Sequence, residues 1–399
     1  MIANFPENRN RFDQNELEQL PQIAIFPNMN IDYIEWFFNL DFEVFTSENS
    51  YPLLVSDVHP PMEILMRYLA RFQKEAEDRI NVSYAWGHPG LISNIAKRYG
   101  TSPENVMPTN GATNAIYLVC RSLLKESDHV VIEAPVYEHL MASPEFISCN
   151  ITILKRRPSE YSVDLDELAN AIRSDTKLLI ITNLHNPSGT YLDDDYLRRI
   201  ADTAKSRNKD IRILVDEIYH DFIPGKPAPA ATLDDCFITL NSLTKVYGLG
   251  MIHCGWVIAE RQIVKELKKL QVLVEGCGSR LLDSFSSLII ENLDEFLDHS
   301  HKIATGNREI MKEYIQPLID NGLLTEDIPV HGCIYFPKVS NIEDTKSLAE
   351  NLADKFNVHI VPGHFFREPG HIRIGFGAKP EQLKRNLGKF VEAISYLLK

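Results

Sequence analysis

The sequence has no long hydrophobic run, no closely spaced cysteine pair and no excess of positive charge. No stretch approaches the roughly 18 apolar residues that span a membrane, and the first 22 residues are too polar for a secretion signal. Six cysteines are dispersed without a C-x-x-C pair, which argues against a disulfide scaffold. The 41 Lys and Arg against 55 Asp and Glu give a net charge of −14, which disfavours nucleic-acid binding. These absences predict a cytoplasmic protein.

Short apolar strands alternate with amphipathic helices through the middle of the chain. The hydrophobic content of 44% is sufficient for a buried core. Strands are predicted at residues 130–133, 151–154, 178–182, 211–215, 237–240 and 255–259, and helices at residues 61–80, 164–174 and 193–207. Because this alternation implies crossover connections, we predict an α/β fold with a mostly parallel mixed sheet flanked by helices.

The pattern changes near residue 290. A long helix is predicted at residues 292–322, followed by short strands and by helices at 345–356 and 380–398. We therefore predict three regions: an N-terminal segment (1–60) that packs with the small domain, a large domain (61–290) and a small α+β domain (291–399). The charged stretch 298–302 contains two histidines, and we interpret it as a solvated helix face because its spacing supplies no third metal ligand.

Four polar side chains stand at the carboxyl ends of neighbouring predicted strands: Asn186, Asp216, Tyr219 and Lys245. Ligands of mostly parallel sheets bind beyond these strand ends. Taken singly, each residue has an ordinary explanation, as a turn, a helix cap or a surface cation. Together they suggest pyridoxal phosphate, because a lysine amine forms a Schiff base with an aldehyde cofactor and a carboxylate can hold the protonated ring nitrogen.

Three motifs in this order resemble those of the class I/II aminotransferases, which are fold-type-I pyridoxal-phosphate enzymes. The family's Asn-Pro-x-Asn-Pro-Thr-Gly is similar to residues 183–189, where Leu184 and Ser188 differ. The family's Asp-Glu-x-Tyr is matched by residues 216–219, and its Ser-x-Ser-Lys by residues 242–245. The resemblance extends from about residue 80 to the carboxyl terminus.

The resemblance implies a role for each matched residue. Lys245 would hold pyridoxal 5'-phosphate as a Schiff base and then transfer the substrate proton. Asp216 would pair with the ring nitrogen, and Tyr137 would stack on the ring. Asn186 and Tyr219 would hydrogen-bond the phenolic oxygen of the cofactor, with Asn186 also touching the substrate.

Phosphate binding is expected where a helix begins near residue 111. Small residues at a helix N-terminus let backbone N–H groups approach an anion. The resemblance assigns the phosphate to Gly111, Ala112, Thr113 and the Ser242 hydroxyl. Without the lysine, an ordinary helix start would explain the same residues.

Two positions near the expected phosphate differ from the family pattern. His253 stands where the family usually has a phosphate-binding arginine. Because imidazole is cationic only below about pH 6.5, we expect weaker and more pH-dependent cofactor binding, unless His253 points elsewhere. The tyrosine that reaches the neighbouring subunit's phosphate is replaced by Ala85, and a one-residue shift would give that role to Tyr84.

Arg373 matches the arginine that binds the substrate α-carboxylate in the family. A guanidinium can hold a carboxylate with two parallel hydrogen bonds; the alternative is a structural ion pair. The preference for a substrate side chain stays open at this stage. Arg280 would favour an acidic substrate or form a surface ion pair, and the aromatic segment at residues 33–38 would favour an apolar substrate or simply pack on the large domain.

The resemblance therefore implies an aminotransferase that moves an amino group between an amino acid and a 2-oxo acid. A homodimer is implied as well, because the active site of this family lies at a subunit interface. The alternative is a pyridoxal-phosphate lyase, cyclase or decarboxylase on the same fold. A non-catalytic protein is disfavoured by the complete residue set, and the motifs of nicotinamide dehydrogenases, serine hydrolases and zinc peptidases are missing from the sequence.

Overall fold

The computed structural model describes residues 31–81, 86–225, 228–276 and 278–398. Its elements are, in chain order, α1 (Asp32–Phe38), α2 (Glu43–Thr46), β1 (Tyr51–Pro52), α3 (Met62–Ile80), α4 (Pro89–Tyr99), β2 (Val106–Thr109), α5 (Gly111–Leu123), β3 (His129–Ala134), α6 (Glu138–Phe146), β4 (Asn150–Lys155), α7 (Leu165–Ala171), β5 (Thr176–Thr182), α8 (Asp194–Arg207), β6 (Arg212–Asp216), β7 (Phe237–Ser242), β8 (Gly255–Ile258), α9 (Arg261–Glu275), α10 (Arg280–Glu291), α11 (Leu293–Asp320), β9 (Ile334–Tyr335), α12 (Lys346–Phe356), β10 (Val358–His359), β11 (Val361–Pro362), β12 (Ile372–Gly375) and α13 (Pro380–Leu397). None of these described helices is long and apolar enough to cross a membrane.

A seven-stranded mixed sheet forms the centre of the larger part. Its strand order is β2-β8-β7-β6-β5-β3-β4. The strands from β7 to β4 run parallel, whereas β8 is antiparallel to both β7 and β2. The central strands are buried on both faces, which explains their nearly continuous apolar sequences. The predicted α/β fold with a mostly parallel mixed sheet is confirmed.

The predicted strands between residues 130 and 259 are all present, with ends that differ by at most two residues. Strand β2 was missed, because it is four residues long and contains Pro108. Pro108 is tolerated there because β2 lies at the edge of the sheet. Helices α1 and α2 lie within the N-terminal segment, where the sequence analysis placed no helix.

The smaller part contains a three-stranded antiparallel sheet in the order β11-β12-β9. Helices α11 and α13 pack against each other beside it. Strand β1 pairs in parallel with β10, where Tyr51 faces Val358. The chain before residue 60 therefore contacts the carboxyl-terminal part directly.

The charged stretch 298–302 is only partly the solvated helix face that the sequence predicted. Asp298 is exposed, but Ser300 is fully buried, and the His301 ring lies 2.9 Å from the Asp221 carbonyl oxygen. This side of α11 packs on the larger part. Within the described residues, no group of three or more His, Cys, Asp or Glu side chains is placed to hold a metal ion.

Residues 53–59, here called the strap, run between the two parts. The Gly375 N–H donates to the Leu53 carbonyl oxygen at 2.8 Å, and the Val58 N–H donates to the Lys245 carbonyl oxygen at 3.0 Å. A Cβ atom on Gly375 would lie only 1.8 Å from a carbonyl oxygen of the strap, so glycine is required there. The strap thereby joins β12 to the loop that carries Lys245.

Candidate active site

The carboxyl ends of β5, β6 and β7 bring the predicted polar residues together. Asp216 is the last residue of β6, and its register partners are Thr182 on β5 and Leu240 on β7. Asn186 follows β5 by four residues, and Lys245 follows β7 by three. The parallel register thus places the carboxylate, the amide and the amine at one edge of the sheet.

The Asp216 carboxyl group is buried, with one hydrogen bond from the Ile218 N–H at 3.1 Å. Burial raises the pKa of Asp216 to about 7, and the negative charge of Glu133 acts in the same direction while Lys245 opposes it. Ionisation of this carboxyl group is therefore costly unless a cation binds beside it.

Asn186 and Tyr219 are both buried. The Asn186 side-chain oxygen has no hydrogen-bond partner among the described residues, and the Asn186 backbone N–H donates to the Thr182 hydroxyl at 3.2 Å. The Tyr219 hydroxyl donates to the Ser56 carbonyl oxygen at 2.8 Å. The strap thus holds Tyr219 through Ser56, a residue that was not among the predicted site residues.

A buried ion pair contacts Thr182, the last residue of β5. Glu133 and Arg156 approach to 2.6 Å, and both side chains are fully buried. Glu133 also accepts from the Thr182 hydroxyl at 2.6 Å, and Arg156 donates to the Thr182 carbonyl oxygen at 2.7 Å. Sequence analysis did not predict this pair. Glu133 lies near the end of the apolar strand β3, and the oppositely charged Arg156 directly follows β4, but these positions alone did not identify them as partners.

The predicted phosphate site lies at the start of α5. Gly111 has a φ of +77°, and the residue before it makes no side-chain capping bond. The first-turn N–H groups at Ala112 and Thr113 have no partner within the helix. Ser242 is the register partner of Gly255, which lies directly against Gly111. The four residues assigned to the phosphate therefore lie at one helix N-terminus.

His253 lies beside the same helix start. A Cβ atom on Gly111 would be 3.5 Å from the His253 Nδ1 atom. The imidazole ring is exposed and faces the glycine, so the alternative that it points elsewhere is disfavoured. Tyr84, the other residue proposed near the phosphate, lies outside the described residues.

The Tyr137 ring stacks on the ring of His139, with centroids 4.9 Å apart and an interplanar angle of 19°. The His139 Nδ1 atom is buried without a partner among the described residues. Burial lowers the pKa of His139 to about 4, with a further contribution from the positive charge of Lys245. His139 is therefore a neutral ring near the lysine, and no sequence motif identified it.

Arg373 is completely buried on β12. Its Nη2 atom donates to the Tyr33 hydroxyl and to the Leu54 carbonyl oxygen, both at 3.1 Å. Its Nε atom has no partner among the described residues, and neither of its two acceptors carries a formal charge. A buried guanidinium without a carboxylate is costly, so a bound carboxylate would relieve this site. The alternative of a structural ion pair is disfavoured.

The aromatic segment at residues 33–38 covers this arginine. The Tyr33 ring lies 5.7 Å from the Arg373 guanidinium carbon and 5.5 Å from the Phe365 ring. The Trp36 ring is 5.1 Å from the same phenylalanine, whereas Phe38 is 79% exposed. Tyr33 therefore packs on Arg373, and Trp36 packs on the neighbouring Phe365.

Sequence comparison decides the family. The sequence profile of the aminotransferase class I and II family matches residues 47–390. The chain belongs to this family. Its polar residues at the strand ends, the helix start at Gly111 and the buried Arg373 are thus parts of an aminotransferase-family fold.

Individual relatives are distant and differ in their reactions. An aspartate aminotransferase of Pyrococcus horikoshii is 27% identical over 315 residues, which is 76% of this chain and 79% of that protein. A capreomycidine synthase of Streptomyces vinaceus is 26% identical over 312 residues, with coverages of 77% and 79%.

Solved structures show the same fold. A PLP-dependent aminotransferase from Streptococcus suis superimposes with a TM-score of 0.82 and 25% identity, covering 93% of this chain and 99% of that one. The PLP-dependent cyclase OrfR gives a TM-score of 0.80 and 22% identity, covering 91% and 96%. The likeness to OrfR shows the fold alone, which is the fold-type-I arrangement predicted above.

Enzymes of the aminotransferase class I and II family use pyridoxal 5'-phosphate, and the described residues fit this cofactor. A protonated ring nitrogen would supply the positive charge that the buried Asp216 lacks. The Asn186 amide makes no hydrogen bond through its oxygen, so it can turn to present its N–H groups to a phenolic oxygen. The uncapped start of α5 offers backbone N–H groups to a phosphate.

Proposed function

We propose that this enzyme is an aminotransferase that moves an amino group between an amino acid and a 2-oxo acid. The observation that carries the proposal is Arg373, a buried guanidinium with no charged partner among the described residues. The strap connects it to Lys245, because Leu54 bonds to Arg373 and Ser56 bonds to the lysine amine. An α-carboxylate held by Arg373 would therefore lie within one site with the lysine.

In this proposal each residue has a distinct task. Arg373 and Asn186 bind and orient the amino acid, and the Lys245 Nζ atom carries the cofactor before substrate arrives. Bound pyridoxal phosphate supplies an electron sink for the bond that breaks at the substrate α-carbon. Lys245, once the substrate amine has displaced it, would take the α-proton on Nζ and would be placed to donate a proton afterwards. Asp216 keeps a proton on the ring nitrogen of the cofactor.

A cyclisation reaction on the same residues is the second candidate. It is supported by the similarity to a capreomycidine synthase and, at the level of fold, to the cyclase OrfR. In this case Lys245 would still take the α-proton, but the amino group would stay with the product. The two candidates therefore differ in where the amino group ends.

The deciding experiment is a single turnover with one amino acid and no 2-oxo acid. Transfer predicts one equivalent each of pyridoxamine 5'-phosphate and of the 2-oxo acid, measured by mass spectrometry. An unchanged cofactor together with a cyclised product, or with released ammonia, would contradict transfer and favour the second candidate. Arg373→Lys, which keeps the charge but loses the two-bond grip, should raise KM for the amino acid about tenfold or more.

Borohydride reduction tests the role of Lys245 separately. Reduction of the holoenzyme should fix one cofactor mass on the peptide that contains Lys245, and Lys245→Ala should carry none. Lys265 on α9 is a matched control position, because it is a lysine on the surface side of the same part of the chain. A label that remains in Lys245→Ala, or that moves to Lys265, would overturn the assignment.

We further propose a homodimer and a cytoplasmic location. Three apolar side chains of α3, Met62, Met66 and Leu69, are 50%, 56% and 39% exposed at helical spacing, which suits burial against a second copy. The five described cysteines are all free, as expected in a reducing compartment. Analytical ultracentrifugation of the wild type and of Met66→Glu tests the dimer, which the substitution should weaken.

A further inference from the structure

We propose that Ser56 is a positioning residue for Lys245 and that its hydroxyl group orients the lysine amine. The Lys245 Nζ atom donates to the Ser56 Oγ atom at 3.2 Å. Ser56 is only 6% exposed and lies in the strap, 189 residues away along the chain. The inference rests on the proposed role of Lys245 as the residue that carries the cofactor.

Hydrogen bonds to the Ser56 carbonyl oxygen and from the nearby Val58 N–H fix the strap backbone, and this fixes the position of the Ser56 hydroxyl. Its carbonyl oxygen accepts from the Tyr219 hydroxyl at 2.8 Å and from the Cys333 Sγ atom at 3.5 Å. Two residues further on, the Val58 N–H donates to the Lys245 carbonyl oxygen at 3.0 Å. The strap thus bonds to the backbone of Lys245 through Val58 and to its side chain through Ser56.

Orientation of the amine matters because the single lone pair on Lys245 Nζ takes part in two different steps. The Nζ lone pair would be needed to bond to the cofactor aldehyde, with loss of one water, and would be needed again to take the α-proton of the substrate. A hydrogen bond from one N–H to Ser56 restricts rotation about the Cε–Nζ bond. The lone pair is then held toward the reacting atoms, which reduces the entropy lost at each step.

A serine suits this task better than a charged acceptor. A carboxylate at this place would stabilise the protonated amine, which has no lone pair to react. The neutral hydroxyl accepts a hydrogen bond from the amine without adding a negative charge. Since the strap also bonds to Arg373 through Leu54, the orienting group and the carboxylate-binding group share one short segment.

The first test measures how fast the full-length apoprotein captures pyridoxal phosphate, followed by the absorbance of the bound cofactor. Ser56→Ala should capture it about fivefold more slowly, since the loss of one hydrogen bond is worth about 1 kcal/mol. Ser56→Thr keeps a hydroxyl and should remain within about threefold of the wild type. This readout does not depend on turnover by the loaded enzyme.

The second test compares kcat with KM and uses an α-deuterated amino acid. Ser56→Ala should lower kcat about tenfold and raise the primary isotope effect, while KM changes little because Arg373 is untouched. Circular dichroism melting confirms that each variant is folded. If Ser56→Ala does not fold, the same measurements are made on Ser56→Cys, whose thiol is a weaker hydrogen-bond acceptor, and are compared with those on Ser56→Thr.

The outcomes separate this inference from the proposed function. Wild-type capture rate and kcat in Ser56→Ala, with the borohydride label still on Lys245, would overturn the role of Ser56 and leave the proposed function intact. A raised KM with an unchanged kcat, not rescued by Ser56→Thr, would also overturn it, because it would indicate a distorted strap. A wild-type protein without the label at Lys245 would overturn the proposed function itself.

Discussion

Gly255 lies so close to Gly111 that no side chain fits between them. A Cβ atom on Gly255 would be 2.6 Å from the Gly111 carbonyl carbon and 3.0 Å from the Ala112 nitrogen. Strand β8 therefore presses directly on the first turn of α5. The position of the expected phosphate site is set by this backbone-to-backbone contact.

Replacing Gly255 with alanine should move the start of α5 and weaken cofactor binding. We expect the dissociation constant for pyridoxal phosphate to rise at least tenfold and stability to fall by about 1–3 kcal/mol, because backbone atoms must shift. Equilibrium titration of the apoprotein and urea unfolding measure these effects. Gly306→Ala on α11 is the matched control, since a Cβ there meets nothing within 4 Å. Equal affinities for the two variants would contradict the prediction.

Asp216 should make the apoprotein less stable as the pH rises. Burial raises the pKa of Asp216 to about 7, above its value in the unfolded chain, so the folded apoprotein binds the proton more tightly. This stabilisation, about 4 kcal/mol at most, is present below about pH 4 and is lost as the pH approaches 7.

Melting of the apoprotein between pH 5 and pH 8 checks this dependence. In Asp216→Asn the decline should be less steep but should not vanish, because burial also raises the pKa of Glu217 to about 7 and that group remains. The asparagine cannot pair as an anion with the ring nitrogen, so kcat should fall by several orders of magnitude. Identical pH slopes in the wild type and the variant would show that Asp216 does not carry the effect.

His253 should contribute to cofactor binding at the phosphate site. Its ring faces the first turn of α5, where a ring N–H can donate to a phosphate oxygen. His253→Arg, which places a permanent positive charge there, should lower the dissociation constant for pyridoxal phosphate by about fivefold, the size of one exposed charge pair. His253→Ala should bind more weakly than the wild type. Equal dissociation constants for all three proteins, measured by equilibrium titration of the apoprotein, would refute the prediction.

The Glu133–Arg156 pair should be costly to break from one side. Arg156→Met leaves a buried carboxylate without its partner and should lower the free energy of unfolding by about 3–5 kcal/mol. Removing both charges in Glu133→Gln/Arg156→Met should cost clearly less than the single substitution. Urea unfolding at one pH compares the three proteins. A double variant less stable than Arg156→Met would argue that the pair itself, rather than the unpaired charge, governs stability.

The site residues that were predicted correctly to lie close together can each be recognised from the few residues around them in the sequence. Asn186, Asp216 and Lys245 each follow an apolar run, and parallel strands bring the ends of such runs to one edge. Periodicity likewise gave the strands of the central sheet to within two residues. Strand β2 and helices α1 and α2 were missed because each is too short to show a period.

The residues that were missed act through distant contacts. Ser56 meets Lys245 across 189 residues, and the Glu133–Arg156 pair depends on the neighbouring register of β3 and β4. A serine in a loop is common in any protein, so no local pattern marks Ser56. The two opposite charges near the ends of β3 and β4 are visible in the sequence, but they do not by themselves show that the two side chains pair. His139 is a similar case, since only its stacking against Tyr137 shows that it belongs to the site.

The strap also bears on how the enzyme matures during translation. Its residues leave the ribosome about 300 residues before β12, to which they bond. A nascent chain can complete the central sheet, yet the strap still lacks β12, to which Leu53 bonds, and the site still lacks the arginine on β12. Capture of the vitamin-derived cofactor is thus expected to wait for release of the finished polypeptide.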